Sequence, residues 1–155
     1  MDRLHPISIA NFMATKLFID TWGWLTLNDR QETGHQGAIA IYKQFLRDRG
    51  SIYTTDYVLD ETYTLLFKRL PTFQAQKSMQ SIFDALTRDS RFTLVWITEE
   101  RFQQTQNLRM QYLDKPRISF TDLTSMVVMQ ELGIQHILTG DAHFEHIGLG
   151  FQKVP

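Results

Sequence analysis

Cysteine is absent from the 155-residue chain. Its absence excludes disulfides, thiolate zinc sites and cysteine nucleophiles. No apolar run approaches the roughly 20 residues that a helical membrane span requires. The opening Met1-Asp2-Arg3-Leu4-His5-Pro6 has no sustained apolar region of signal-peptide type. The cytoplasm is therefore the expected compartment, with no membrane association. An excess of positive charge is missing too: 16 Lys and Arg stand against 17 Asp and Glu, for a net charge of -1. That balance argues against the basic footprint of a duplex-DNA binder, while a local patch stays compatible with nucleic acid. There is no internal repeat, low-complexity tract or long linker. What remains is 43% apolar and 21% charged. This is the composition of an ordinary globular chain, long enough for one domain with a core of its own.

Residues 1–15 contain Pro6, show no periodicity and read as a peripheral extension, with the folded domain beginning near Met13 and occupying residues 16–155. From Lys16 onward, short apolar runs alternate with helical patterns. Strands are expected at 16–19, 51–54, 92–97, 136–138 and 151–154. Helices are expected at 35–49, 56–70, 73–88, 99–113, 120–132 and 142–147, with one more starting near Trp22. Gly50, Pro71, Pro116 and Gly133 supply the stop signals. Such alternation implies parallel crossover units and an α/β fold, a three-layer α/β/α sandwich around a mostly parallel sheet. Ligand sites in such sheets form beyond the carboxyl ends of the strands, where the strand order reverses.

Four acids sit where local patterns change: Asp20 after Leu17-Phe18-Ile19, Glu61 within Val58-Leu59-Asp60-Glu61-Thr62, Asp122 within Phe120-Thr121-Asp122-Leu123, and Asp141 after Leu138-Thr139-Gly140. Each has a structural reading of its own. Asp20 can cap the next helix. Ser119 and Asp122 have capping-box spacing. Asp141 can cap the short helix that follows it. Glu61 differs, because it shares a helical stripe with Val58 and Leu65 and so faces inward, whereas Asp60 aligns with Thr64 and Lys68 on a polar face. An inward carboxylate needs a partner. Carboxylates gathered in one place repel one another, and a hard divalent cation is the usual remedy. The combination points to an oxygen-ligand metal site.

The runs Leu17-Phe18-Ile19-Asp20-Thr21, Val58-Leu59-Asp60-Glu61-Thr62, Phe120-Thr121-Asp122 and Leu138-Thr139-Gly140-Asp141-Ala142-His143-Phe144 resemble the motifs of PIN-domain nucleases. The nearest likeness is to the small VapC-type toxin ribonucleases. It extends from about Lys16 to the C-terminus. The resemblance implies a metal-dependent endoribonuclease in which Asp20, Glu61, Asp122 and Asp141 are the catalytic and metal-site acids. It also implies magnesium or manganese as cofactor, a 5′-phosphate and a 3′-hydroxyl as products, and a hydroxyl near the metal at Thr139. Where some members carry a fifth acid, this chain has Ala142 and His143. Asp20 and Asp141 are the expected direct ligands. Glu61 and Asp122 are left to a water-mediated contact, a second ion or orientation of the attacking water.

Substrate contacts are expected from Thr139 and from Lys115 and Arg117, which precede the Asp122 helix and can reach phosphate. Trp22 and Trp24 could stack single-stranded bases, but tryptophans in a chain with this many aromatics are more often core or interface residues. Single-stranded or looped RNA is the expected substrate. The resemblance implies an antitoxin protein as partner. The aromatic helices would also suit a homodimer face. His143 and His146, three residues apart, lack a third nitrogen ligand nearby and read as ordinary helix or surface residues. Two rivals stand beside the nuclease. A haloacid-dehalogenase-type phosphotransferase would need a second acid two residues after Asp20, where this chain has Trp22. A non-catalytic interaction module would keep the fold and lose the turnover.

Overall fold

A computed structural model describes residues 16–155. The peripheral extension expected at residues 1–15 lies outside the described residues. Five strands, β1 (Lys16–Ile19), β2 (Ser51–Thr55), β3 (Phe92–Val95), β4 (His136–Leu138) and β5 (Gln152–Val154), form one sheet in the order β3-β2-β1-β4-β5. Every pairing is parallel, with Leu17 opposite both Ile52 and His136. The expectation of a mostly parallel sheet is thus exceeded. The helices are α1 (Thr21–Asn28), α2 (His35–Arg47), α3 (Asp56–Arg69), α4 (Thr72–Arg88), α5 (Glu99–Gln111), α6 (Phe120–Leu132) and α7 (His143–His146). The chain steps outward from β1 to β3 and then returns past β1 to β4. Right-handed crossovers in both directions put helices on both faces of the sheet. The reversal lies between β1 and β4.

Local chemistry explains most element boundaries. Asp20, Thr55, Thr98 and Ser119 each cap a helix by accepting a backbone N–H three residues on. Such caps stabilise by about 1 kcal/mol apiece. Gly133 ends α6 at φ 68°, a left-handed conformation that glycine adopts without strain. Several boundaries differ from the sequence reading by one or two residues, and two of them have a visible cause. α2 stops at Arg47, and Arg49, not Gly50, takes the left-handed turn at φ 61°. β3 stops at Val95 because the Ile97 N–H leaves the ladder and donates to Asp56 Oδ1 at 2.7 Å, leaving Trp96 exposed.

The core is continuous around β1, where Leu17, Phe18 and Ile19 are fully buried, as are Ile52, Val58, Leu66, Leu123, Met126 and Ile137. Trp24 belongs to it. Its indole N–H donates to Thr54 Oγ1 at 3.1 Å, and the Thr54 hydroxyl donates onward to the Ile19 carbonyl at 2.9 Å. Trp24 is therefore a packing residue and no stacking platform for bases, in keeping with the core reading of it. Trp22 is partly exposed, with the Arg69 guanidinium 4.9 Å from its ring centroid.

Candidate metal centre

β1 and β4 are neighbours, so their carboxyl ends bring Asp20 and Thr139-Gly140-Asp141 to one edge of the sheet. Asp20 is buried at 3% exposure, and both of its oxygens are engaged. Oδ1 accepts the Gly23 N–H at 2.8 Å, and Oδ2 accepts the Thr139 hydroxyl at 2.5 Å. Thr139 also accepts the Asp141 N–H at 3.0 Å, so one buried hydroxyl ties the ends of both strands together. Glu61 reaches the same edge from α3, and its Oε1 accepts the Thr21 hydroxyl at 2.6 Å. Its neighbour Asp60 is exposed, as the helical stripe requires. Asp122 enters from the first turn of α6, set by the bond from its N–H to Ser119 Oγ at 3.0 Å. Asp141 Oδ1 accepts the His143 N–H at 2.8 Å, a local turn at the start of α7. Of the three capping roles read from the sequence, Asp20's holds in full; Ser119 caps α6 through the Asp122 N–H without a return bond from the Asp122 carboxylate, and Asp141 makes a local turn ahead of α7, whose N-cap is Ala142.

Electrostatics ties the group together. Burial pushes the Asp20 carboxyl up to about 8, against the hydrogen bonds from Thr139 and Gly23, and the charges of Asp122 and Asp141 raise it further. Burial also pushes Asp122 up to about 6, with Asp141 and Glu61 adding to the rise. Asp20 and Asp122 thus resist ionisation partly because other carboxylates are near.

The sequence matches the PIN domain family over residues 17–149. The chain belongs to the PIN domain family. Among solved structures, this PIN domain is similar to VapC20 of Mycobacterium tuberculosis, a toxin that cleaves the sarcin-ricin loop. Identity is 25%, the TM-score is 0.72, and the match covers 85% of this chain and 95% of that one. It is also similar to VapBC2 of Rickettsia felis, solved with a DNA fragment from its promoter, at 15% identity and a TM-score of 0.69 over 91% of this chain and 100% of that one. The second likeness, at that identity, supports the fold alone. No curated protein sequence matches at a significant level.

In this PIN domain the tightest group differs from the expected pair of Asp20 and Asp141. Ligand atoms of Asp122, Asp141 and His143 all lie within 4.8 Å of one another. His143, expected to be an ordinary helix or surface residue, joins the acids. Its Nδ1 is buried and lies 3.1 Å from Asp141 Oδ1, close enough for an ion pair, yet it has no hydrogen-bond partner. A buried nitrogen is thus left beside the cluster without a bond. Two carboxylates and an orphaned imidazole nitrogen are a donor set that suits a divalent cation. Asp20 and Glu61 stand outside that triad and are coupled to it electrostatically. Thr21, which orients Glu61, and Gly23, which holds Asp20, were also missed. Thr21 is adjacent to Asp20 in the chain, but its bond to Glu61 spans 40 residues and leaves no local signal. Lys115 and Arg117 lie in the loop between α5 and α6, near His143 rather than among the acids.

Proposed function

We propose that this PIN domain is a magnesium- or manganese-dependent endoribonuclease acting on single-stranded or looped RNA, and that it is the toxin of a toxin–antitoxin pair in the cytoplasm. The observation that carries the reading is the gathering of Asp20, Glu61, Asp122 and Asp141 at the β1–β4 switch point, with burial and mutual repulsion holding two of them protonated above their ordinary range. Asp141, Asp122 and His143 would hold the ion, with Asp20 completing the site from β1. When bound, the ion supplies positive charge to phosphate oxygens and activates water.

The residues do the rest. Gly23 and Thr139 fix Asp20, and Thr21 fixes Glu61, so neither carboxylate must reorganise during the reaction. Glu61 orients the attacking water and takes its proton. The water oxygen bonds to phosphorus as the bond to the 3′ oxygen breaks. That oxygen takes up a proton from solvent, and Glu61 returns its own to solvent, leaving a 5′-phosphate and a 3′-hydroxyl. Lys115 and Arg117 hold the backbone of the strand. Thr139, whose hydroxyl is committed to Asp20, acts on substrate only through that carboxylate.

Partners follow from the apolar surface. Phe67, Phe73 and Phe83 on the consecutive helices α3 and α4 are exposed, and apolar side chains that gather into one patch mark protein-binding surface. A small antitoxin and a second copy of this chain are the proposed occupants. No helix among the described residues is long and apolar enough to cross a membrane.

The test is cleavage of a labelled single-stranded RNA with magnesium or manganese. Asp20→Asn is expected to cut at least about a hundredfold more slowly, the order of loss for a preorganised electrostatic group, while melting as a folded protein. Equal rates for parent and variant would remove Asp20 from the chemistry. Manganese binding without any RNA cleavage would leave a non-catalytic module instead.

A further inference from the structure

We propose that the cavity between the α5–α6 loop and α7 is a subsite for one nucleotide of the RNA strand, and that Arg109 is the positioning residue that holds its wall. The inference rests on the ribonuclease reading. The cavity encloses about 330 Å³, and its walls include Lys115, Pro116, Arg117, Ile118, His143 and His146. That size falls within the roughly 300–1,000 Å³ of small-molecule sites, and the walls combine cations with flat rings. His143 is shared, since its Nδ1 lies 3.1 Å from Asp141 Oδ1 while the residue also lines the cavity. The cavity therefore adjoins the acidic centre directly.

The charges suit a phosphodiester. Among the described residues Arg117 has no carboxylate partner. Lys115 has only Asp114, which also borders the cavity, at 3.8 Å. Asp114 is 75% exposed, and a loose pair of that kind is screened by water and salt. An arginine presents a fork that matches phosphate oxygens. Imidazole rings, with proline and isoleucine beside them, suit the face of a base. A base must leave its stack to lay a face against those rings, which favours single-stranded or looped RNA.

The wall is braced in an uncommon way. Arg109, in the last turn of α5, has no carboxylate partner among the described residues. Its Nη1 donates to the carbonyls of Tyr112 at 3.2 Å and Lys115 at 3.1 Å, and its Nη2 donates to the carbonyl of Ile118. One guanidinium thus spans the loop that carries both cations and leads into Ser119 and Asp122. Five donors in a planar fork can bridge three carbonyls, whereas an ammonium is a single point.

The experiment compares the parent, the surface double variant Lys115→Gln/Arg117→Gln, Arg109→Lys, and all three changes combined. Each is titrated with a fluorescent single-stranded RNA in metal-free buffer at several salt concentrations, and each is assayed for KM and kcat with manganese. The double variant is expected to bind about tenfold more weakly, with a log–log salt slope lower by roughly 1. Its KM is expected to rise more than its kcat falls. Arg109→Lys is expected to raise KM in the same way while keeping its charge, and to add little on top of the double variant, because both act through one loop. Unchanged RNA affinity and salt slope in the double variant overturn the subsite, even where the parent cleaves RNA normally. A parent that cuts no RNA, with affinity still lost in the double variant, sinks the ribonuclease reading and keeps the subsite. Independent, additive effects of Arg109→Lys overturn its positioning role. Should Arg109→Lys fail to fold, the double variant still decides the subsite.

Discussion

Asp20 is the residue whose physics is most exposed to experiment. Its carboxyl titrates near 3.8 in an unfolded chain and at about 8 in the fold, chiefly because it is buried. Across that interval the folded protein holds a proton that the unfolded chain has released. The contribution to stability is therefore fully present below pH about 4 and is lost as pH rises towards about 8. Thermal melts of metal-free protein should show Asp20→Asn gaining stability over the parent steadily across this range. A constant gap between the two melting curves contradicts the burial argument. Thr139 opposes the same shift by donating to Asp20 Oδ2. Removing that donor in Thr139→Val leaves the charged carboxylate less satisfied and misaligned. Manganese affinity should fall about 10–100-fold, as for other groups that orient a ligand, measured by calorimetry. An unchanged affinity would make Thr139 a spacer only.

Gly23 is the residue that lets α1 lie close against the sheet. A Cβ at this position would stand 2.2 Å from the Leu138 carbonyl oxygen and 2.8 Å from Ile19 Cγ2, where no side chain fits. The close approach lets the Gly23 N–H reach Asp20 while α1 lies over the junction of β1 and β4. Gly23→Ala should destabilise by about 1–3 kcal/mol, the usual result of overpacking, and should lower cleavage more than its stability loss explains. Denaturant unfolding and activity assays at a temperature where the variant is folded check both parts. Full activity in a destabilised variant would separate the helix from the site.

The element pattern itself was legible in the sequence because apolar runs and stop signals mark it strongly. Leu17-Phe18-Ile19 could only be a buried strand, and Val58, Glu61 and Leu65 could only share a face. Asp20, Glu61, Asp122 and Asp141 were legible because each stands at a change of pattern. His143 was not, since a single imidazole on the four-residue α7 has no periodicity to set its direction. Arg109 was not, because its partners are backbone carbonyls, which leave no trace in side-chain spacing. β3 was read too long because Asp56, 41 residues away, takes the Ile97 N–H from the ladder.

In the molecule as a whole, strand order β3-β2-β1-β4-β5 brings residues 20 and 141 into adjacent positions at one sheet edge. The α3 and α6 helices then deliver Glu61 and Asp122 to the same edge, and the folding free energy of a continuous core holds the repelling charges there. The same topology places the Lys115–Arg117 loop beside α7, so the candidate metal centre and a cationic cavity share His143. The most direct test is a crystal structure of the protein soaked in manganese, with anomalous scattering recorded at the manganese edge. A peak bounded by carboxylate oxygens of Asp122 and Asp141, with Asp20 and His143 facing it, is the expected result. Saturating manganese that leaves this position empty and gathers on other surface acids would contradict a shared divalent site.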